Sequence, residues 1–250
     1  MNPSTISLIA LFLIFMSAVA GIFIQNALPE HHLSEESKNI IKAARGVVVG
    51  LAALTLGLLI ATAKGSYDTK GTELKASAAK TIVLNRLLLN FGDKSKEARD
   101  ALKIVAENGI KVIEEINKNG VDRKKVSGLG LDLLQKKLLE LPDDKPELNW
   151  LKNTALSLGN DIAISRWKIY ENSSASVSPL FIAILVFWLM GIFFSLGLIA
   201  PFNTLVLAAL FMAALSMTGA ILLTLELDQP YGGLIQFSTD PLKIALEQFR

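Results

Sequence analysis

The stretch PLFIAILVFWLMGIFFSLGLIAPFNTLVLAALFMAALSMTGAILLTL (residues 179–225) decides the fold. It lies inside an interval, bounded by Glu171 and Glu226, that holds no charged residue, and its only turn punctuation is Ala200-Pro201-Phe202-Asn203. Each flanking run supplies the roughly 20 apolar residues that a helix needs to cross about 30 Å of hydrocarbon. The stretch therefore reads as two membrane-crossing helices joined by a tight turn.

Two further spans lie toward the N-terminus. Residues 6–24 sit in a charge-free stretch that ends at Glu30, and residues 46–63 lie between Arg45 and Lys64. All four are expected to be helices, because lipid offers no partner to a bare backbone N–H or C=O. Ala18-Val19-Ala20 has the small-x-small pattern that a signal peptidase reads. Yet residues 1–5 contain no Lys or Arg and the apolar run continues through Gly21-Ile22-Phe23-Ile24, so this segment is expected to be retained as a span. The chain is 51% hydrophobic and still 19% charged, which requires the two kinds of residue to be segregated along it.

The basic residues set the expected orientation. Of 25 Lys and Arg, 20 fall between Lys64 and Ser178, two in the tail (Lys243, Arg250), and three (Lys38, Lys42, Arg45) between the first two spans. With four spans the N-terminus, the long middle segment and the C-terminus share one side, and the positive-inside bias makes it the cytoplasm.

That middle segment has a helical period. Residues 67–90 place Leu74, Ala78, Ile82 and the Leu87-Leu88-Leu89 cluster on a stripe that Phe91-Gly92 stops. A second helix is expected after Asp93, through Ala98, Leu102, Val105, Val112, Ile113 and Ile116 to Asn119-Gly120, and a short third over residues 129–141. Asp144 is the expected N-cap of a fourth, with Pro146 in its first turn. Only Gly65 interrupts the passage from the second span into the first of these helices, so one long helix is expected there. Asn172-Ser173-Ser174 reads as a hinge before the third span; its Asn-x-Ser sequon falls on the face expected to be cytoplasmic and is not expected to be glycosylated. Asp240 is expected to cap a short tail helix with Pro241 at its first position, bearing Leu242, Ala245, Leu246 and Phe249 and packed on the helical bundle or lying at the membrane interface.

The second span differs from the others in its residues. Gly46, Gly50, Ala53, Gly57 and Ala61 share one helical face. Small residues let helix backbones approach closely in lipid, where packing has no hydrophobic drive. Two readings stand: a seam between helices of one subunit, or a helix packed around an oligomer axis with Thr55 and Thr62, or the Leu51, Leu54 and Leu58 stripe, facing a pore.

Residues with reactive chemistry are scarce. Glu30-His31-His32 and Glu35-Glu36 occupy the loop between the first two spans, with Ser34 placed to cap a helix there. His31 and Glu35 could share a face toward a divalent ion, but two adjacent histidines in an acidic loop are more often simply solvated, and no metal site is expected. The chain has no Cys, which removes disulfides, thiolate ligands and a thiol nucleophile together. No phosphate-binding glycine loop, zinc-protease helix or Gly-x-Ser-x-Gly elbow occurs, so neither an enzyme nor a cofactor is expected. No span carries an internal charge or histidine, which argues against a pump or ion-coupled carrier and leaves passive permeation open.

Three stretches carry a family likeness: Leu28-Pro29-Glu30-His31-His32-Leu33-Ser34-Glu35-Glu36-Ser37; Leu56-Gly57-Leu58-Leu59-Ile60-Ala61 with Lys64 and Ser66-Tyr67-Asp68; and Leu227-Asp228-Gln229-Pro230-Tyr231-Gly232-Gly233. The chain resembles the bestrophin-like family of bacterial membrane proteins, with Glu30, His31, His32, Asp228, Pro230 and Gly232 as motif positions. The resemblance implies a relation to bestrophins, which are pentameric anion channels lined by their second span. Two features depart from them. The second span has no aromatic residue where bestrophins narrow the pore with phenylalanines, and Glu226 and Asp228 are only a sparse echo of the acidic run of the calcium-gated channels. Calcium gating is therefore not expected.

The expected fold is an all-α membrane protein of four transmembrane helices with a cytoplasmic helical bundle inserted between spans two and three. Its parts are residues 1–64, the first pair of spans; 65–176, the bundle; 177–225, the transmembrane hairpin; and 226–250, the tail with its short helix. The expected function is an oligomeric channel for passive passage of inorganic ions, anions by resemblance, in a bacterial inner membrane. Its partners would be lipid and further copies of itself, a pentamer by resemblance. A membrane-anchored scaffold or signalling protein that binds partners through its helical bundle is the alternative. A net charge of +2 gives no cause to expect nucleic acid.

Overall fold

The computed structural model describes residues 2–27, 34–119, 130–171, 177–228, 235–236 and 238–249. Among them every regular element is helical: α1 (Pro3–Ala27), α2 (Glu35–Leu89), α3 (Lys96–Asn119), α4 (Leu131–Leu139), α5 (Pro146–Glu171), α6 (Pro179–Gly197), α7 (Thr204–Asp228) and α8 (Asp240–Glu247). Helices α1, α2, α6 and α7 are each long and apolar enough to cross a membrane. These are the four spans read from the sequence.

The termini of the helices follow local chemistry. Ser34 starts α2, its hydroxyl accepting the Ser37 N–H at 3.2 Å, while Glu35 and Glu36 occupy the first turn, where the helix dipole favours acids. The second membrane helix thus begins well before Gly46, because the residues that follow the cap (Ile40, Ile41, Ala43, Ala44) accept a helix without interruption. Gly65 does not break it. The helix runs 55 residues, about 80 Å at its usual rise, and closes before Gly92, which takes the left-handed φ of 59° that favours glycine. Ser178 caps α6 by accepting the Leu180 N–H, with Pro179 at the first helical position. Asn203 caps α7, its Oδ1 accepting from Leu205 at 2.6 Å and from Val206 at 3.4 Å.

Two expected caps move by one residue. Lys145 directly precedes α5, its carbonyl accepting the Asn149 N–H, so Asp144 stands too early to cap it. Asp240 is the first residue of α8, after Thr239, and donates its own N–H to the Ser238 hydroxyl. The expected hinge at residues 172–174 lies outside the described residues, as does Gly120.

The chain forms two compact units, Met1–Ser66 with Ser176–Asp228, and Tyr67–Ala175 with Gln229–Arg250. In the first, α1 packs on both α6 and α7. Ala10, Ile14, Ala18 and Ile22 recur every four residues and form its buried stripe. Buried with them in this unit are Leu185, Leu189 and Phe193 of α6 and Ala214 and Ile221 of α7, and Phe15 meets Phe211 edge-on with ring centroids 5.4 Å apart. Several hydroxyls inside these spans turn back on their own helix, Ser17 donating to the Ile14 carbonyl, Ser195 to Ile192 and Thr224 to Ala220, whereas those of Ser7 and Thr218 are buried with no hydrogen-bond partner. A hydroxyl that turns back in this way finds its partner in lipid within its own helix.

The second unit holds two apolar clusters. Leu84, Leu88, Leu102, Leu134, Leu138 and Ile162 anchor one, joining α2, α3, α4 and α5; Leu74, Ala78, Ile113, Leu242 and Ala245 anchor the other, which seats α8. Buried Asn85 ties the tail in as well, donating to the Gln248 carbonyl at 2.8 Å while accepting from Arg99 Nε at 3.0 Å.

Candidate functional site

The membrane part of α2 has three faces, and only one meets the rest of its own chain. Ala52, Leu59 and Ala63 are buried, at spacings that put them on a single stripe. The small-residue face is bare: Gly46, Gly50, Ala53, Gly57 and Ala61 are all exposed, and a Cβ built at Gly46, Gly50 or Gly57 meets nothing within 4 Å. The third face carries Leu51, Leu54 and Leu58, exposed to 48%, 73% and 67%, with Thr62 exposed and Thr55 half-buried beside them. Only 17% of the apolar window of α2 is buried, against 33% for α1.

Close helix packing inside the first unit uses other residues. Gly21 of α1 and Gly197 of α6 meet where those helices cross; a Cβ at Gly21 would run into the Phe194 carbonyl, and one at Gly197 into the Ala18 carbonyl. This seam was not singled out from the sequence. A signal for it existed in the spacing of Ala10, Ala18 and Gly21 on one side of α1.

Asp228 is 1% exposed and receives the Val177 N–H on both carboxylate oxygens, at 3.2 and 3.1 Å. The end of α7 is thus pinned to the residue just before the α6 cap, which closes the hairpin opposite its turn. A carboxylate also suits that place because the α6 dipole is positive there. Glu226, 3% exposed, lies one half-turn earlier. Glu30, His31, His32, Pro230 and Gly232 lie outside the described residues, and so does any metal site at the histidines. Among the described residues no group of three or more His, Cys, Asp or Glu could hold a metal.

In the second unit Arg166 of α5 is 8% exposed, and its Nη2 donates to the Val105 carbonyl at 3.2 Å, while Nε has no hydrogen-bond partner. Burial pulls its pKa down to about 10. Gly109 makes the room, since a Cβ there would collide with the guanidinium. On the surface Lys137 bridges α3 and α4, 2.6 Å from Glu97 and 2.7 Å from Glu140. Its hydrogen bonds to Glu140 and Glu97 raise its pKa to about 12, and its hydrogen bond to Glu97 lowers that carboxyl below the usual range.

Four membrane-spanning helices, one of them continuing without a break into a polar helical bundle that also seats the tail, define a polytopic α-helical membrane protein. The Bestrophin-like domain profile matches residues 12–242, and the chain belongs to that family. Its fold is that of solved relatives. One mutant form of a bacterial bestrophin homologue from Klebsiella pneumoniae is similar with a TM-score of 0.66 and 11% identity over 96% of both chains. A second mutant form of it gives 0.63 and 12% over 97% of both. A structure described as a membrane protein gives 0.64 and 13% over 97% of this chain and 96% of that one. No curated protein matches the sequence.

Proposed function

We propose that the protein is a homo-oligomeric channel through which inorganic ions pass down their gradients, with α2 lining the path. The observation that carries this reading is the bareness of α2 in the single chain. A helix whose glycine face has open space is shaped for another backbone, because close approach is what drives association in lipid. If copies meet along Gly46, Gly50, Ala53, Gly57 and Ala61, the neighbouring face with Leu51, Leu54, Leu58 and Thr62 turns toward the common axis. There the leucines make an apolar constriction that gates by dewetting, and Thr55 and Thr62 offer hydroxyls beside it. The lack of ionisable groups within the spans fits passive flow. Family membership favours anions and a pentamer, and the basic bias of residues 64–178 favours cytoplasmic termini in a bacterial inner membrane.

Liposome flux tests the reading. Leu58→Ser wets the constriction and raises anion flux several-fold at unchanged oligomer mass, whereas Leu215→Ser, on an exposed part of α7, leaves it within twofold of the parent. If correctly assembled parent and Leu58→Ser both pass no ions, the protein is a membrane-anchored scaffold instead.

A further inference from the structure

A positive charge lies buried in the helical bundle with no acid beside it. The Arg166 guanidinium fills the notch at Gly109 and donates from Nη2 to the Val105 carbonyl at 3.2 Å, while its Nε–H meets no acceptor. Burial alone moves its pKa, down to about 10, so the group stays charged at neutral pH and no carboxylate among the described residues offsets the burial. A charge taken out of water is costly unless a counter-charge meets it.

A second buried donor lies in the same layer. Ser77 of α2 is fully buried, and its hydroxyl has no hydrogen-bond partner. Ion pairs fix its level against α5: Glu73 meets Lys168 at 3.2 Å and Lys80 meets Asp161 at 3.1 Å. The two helices therefore run antiparallel, and Ser77, between those pairs, stands level with residues 164–165, next to Arg166. The register of α3 follows in the same way. Asn85 accepts from Arg99, and Leu74 and Ala78 share a cluster with Ile110 and Ile113, which brings Ser77 level with residues 105–109, the stretch that seats the guanidinium. All of these residues belong to the second unit.

We infer that a halide ion, chloride being the one tested, binds in this layer between α2, α3 and α5, held by the Arg166 Nε–H and the Ser77 hydroxyl. A single acceptor atom suits these donors. A carboxylate or phosphate would take Nε and Nη2 together as a two-pronged pair, and the Val105 carbonyl already holds Nη2. A water molecule could accept the same two bonds, but it would leave the charge uncompensated and bring protons of its own that need acceptors. The bound anion neutralises the guanidinium and ties the three helices together, so the stability of the bundle rises with halide concentration. The site stands whether or not the protein conducts.

Thermal unfolding of the full-length protein in detergent at neutral pH tests this, with sodium gluconate exchanged for sodium chloride at constant ionic strength. The parent's unfolding temperature is expected to rise by about 3 °C or more on the exchange, saturably, and bromide should act as chloride does. Arg166→Met is expected to lose the dependence and, in gluconate, to unfold at or above the parent's temperature, because an apolar chain of similar length removes the cost of burying a charge. An Arg166 that serves packing alone would instead give a variant of lower unfolding temperature in both salts. Ser77→Ala should raise the chloride concentration that gives half the shift by about threefold or more, and it decides the question if Arg166→Met does not fold. Leu58→Ser, in the membrane part of α2, should keep the dependence, which separates this site from any anion held in a pore. No chloride dependence in the parent, the same dependence in the parent and in the folded Arg166→Met or Ser77→Ala, its loss in Leu58→Ser, or an experimental map with a carboxylate of the chain itself on Arg166 Nε would overturn the inference.

Discussion

Gly21 and Gly197 differ from Gly46, Gly50 and Gly57 in what surrounds them, though all five lie in membrane-spanning helices. The first pair has the backbone of the opposite helix against it, and the second set has open space. The chain spends one set of small residues on its own folding and leaves the other facing outward. A glycine stripe in a membrane helix therefore does not identify its partner; the packing around it does.

The largest effect should come from breaking the filled seam. Gly197→Leu drives a side chain into the Ala18 carbonyl, and no rotamer change relieves a collision with backbone, so the folded, monodisperse fraction on size exclusion should fall to near zero. Gly50→Leu should act differently. The chain keeps its helical content and folds, but the oligomer mass in detergent drops, because the added side chain obstructs only a neighbour. Equal loss of fold in both variants would erase the distinction between the two sets.

Asp228→Ala comes next in size. It removes both acceptors of the buried Val177 N–H, at a cost of about 1–3 kcal/mol, seen as a lower unfolding temperature; Asp228→Asn, which keeps one acceptor, should recover part of it. The surface pair gives the smallest effect. Lys137→Ala should lower the unfolding temperature only slightly, because exposed ion pairs are screened. Glu97 has its carboxyl pKa lowered in the folded state, so its contribution is present above the ordinary carboxylate pKa and is lost as the pH falls through the folded value. A Lys137→Ala difference that persists unchanged at pH 3 would contradict that assignment.

Much of this architecture is legible in residue order alone. The charge-free interval before Glu226, the turn at Pro201 and Asn203, and the unbroken run through Gly65 each have a local cause, and the helices follow them. Leu242 and Ala245 mark the apolar side of α8 in the residue order, but that this side packs on Leu74, Ala78 and Ile113 is seen only in the structure. The Gly21–Gly197 crossing is a different matter, since it joins residues far apart in the chain and no local pattern names the partner. Arg166 escaped for the same reason: a basic residue in a helix reads as solvated, and only the notch at Gly109, from another helix, lets it be buried. Asp228 stood out as a motif residue, but its role as the clamp on Val177 required the hairpin to be closed.

The most direct test of α2 as the lining of a water-filled path exploits the absence of native cysteine. Single cysteines at Leu51, Leu54 and Leu58 would be compared in liposomes with cysteines at Leu8 and Phe12 of α1, which are 68% and 64% exposed but expected to face lipid. The account predicts rapid modification of the α2 positions by a charged, water-soluble thiol reagent, with flux falling as modification proceeds, and slow modification in α1. Equal, slow modification at all five positions would contradict it.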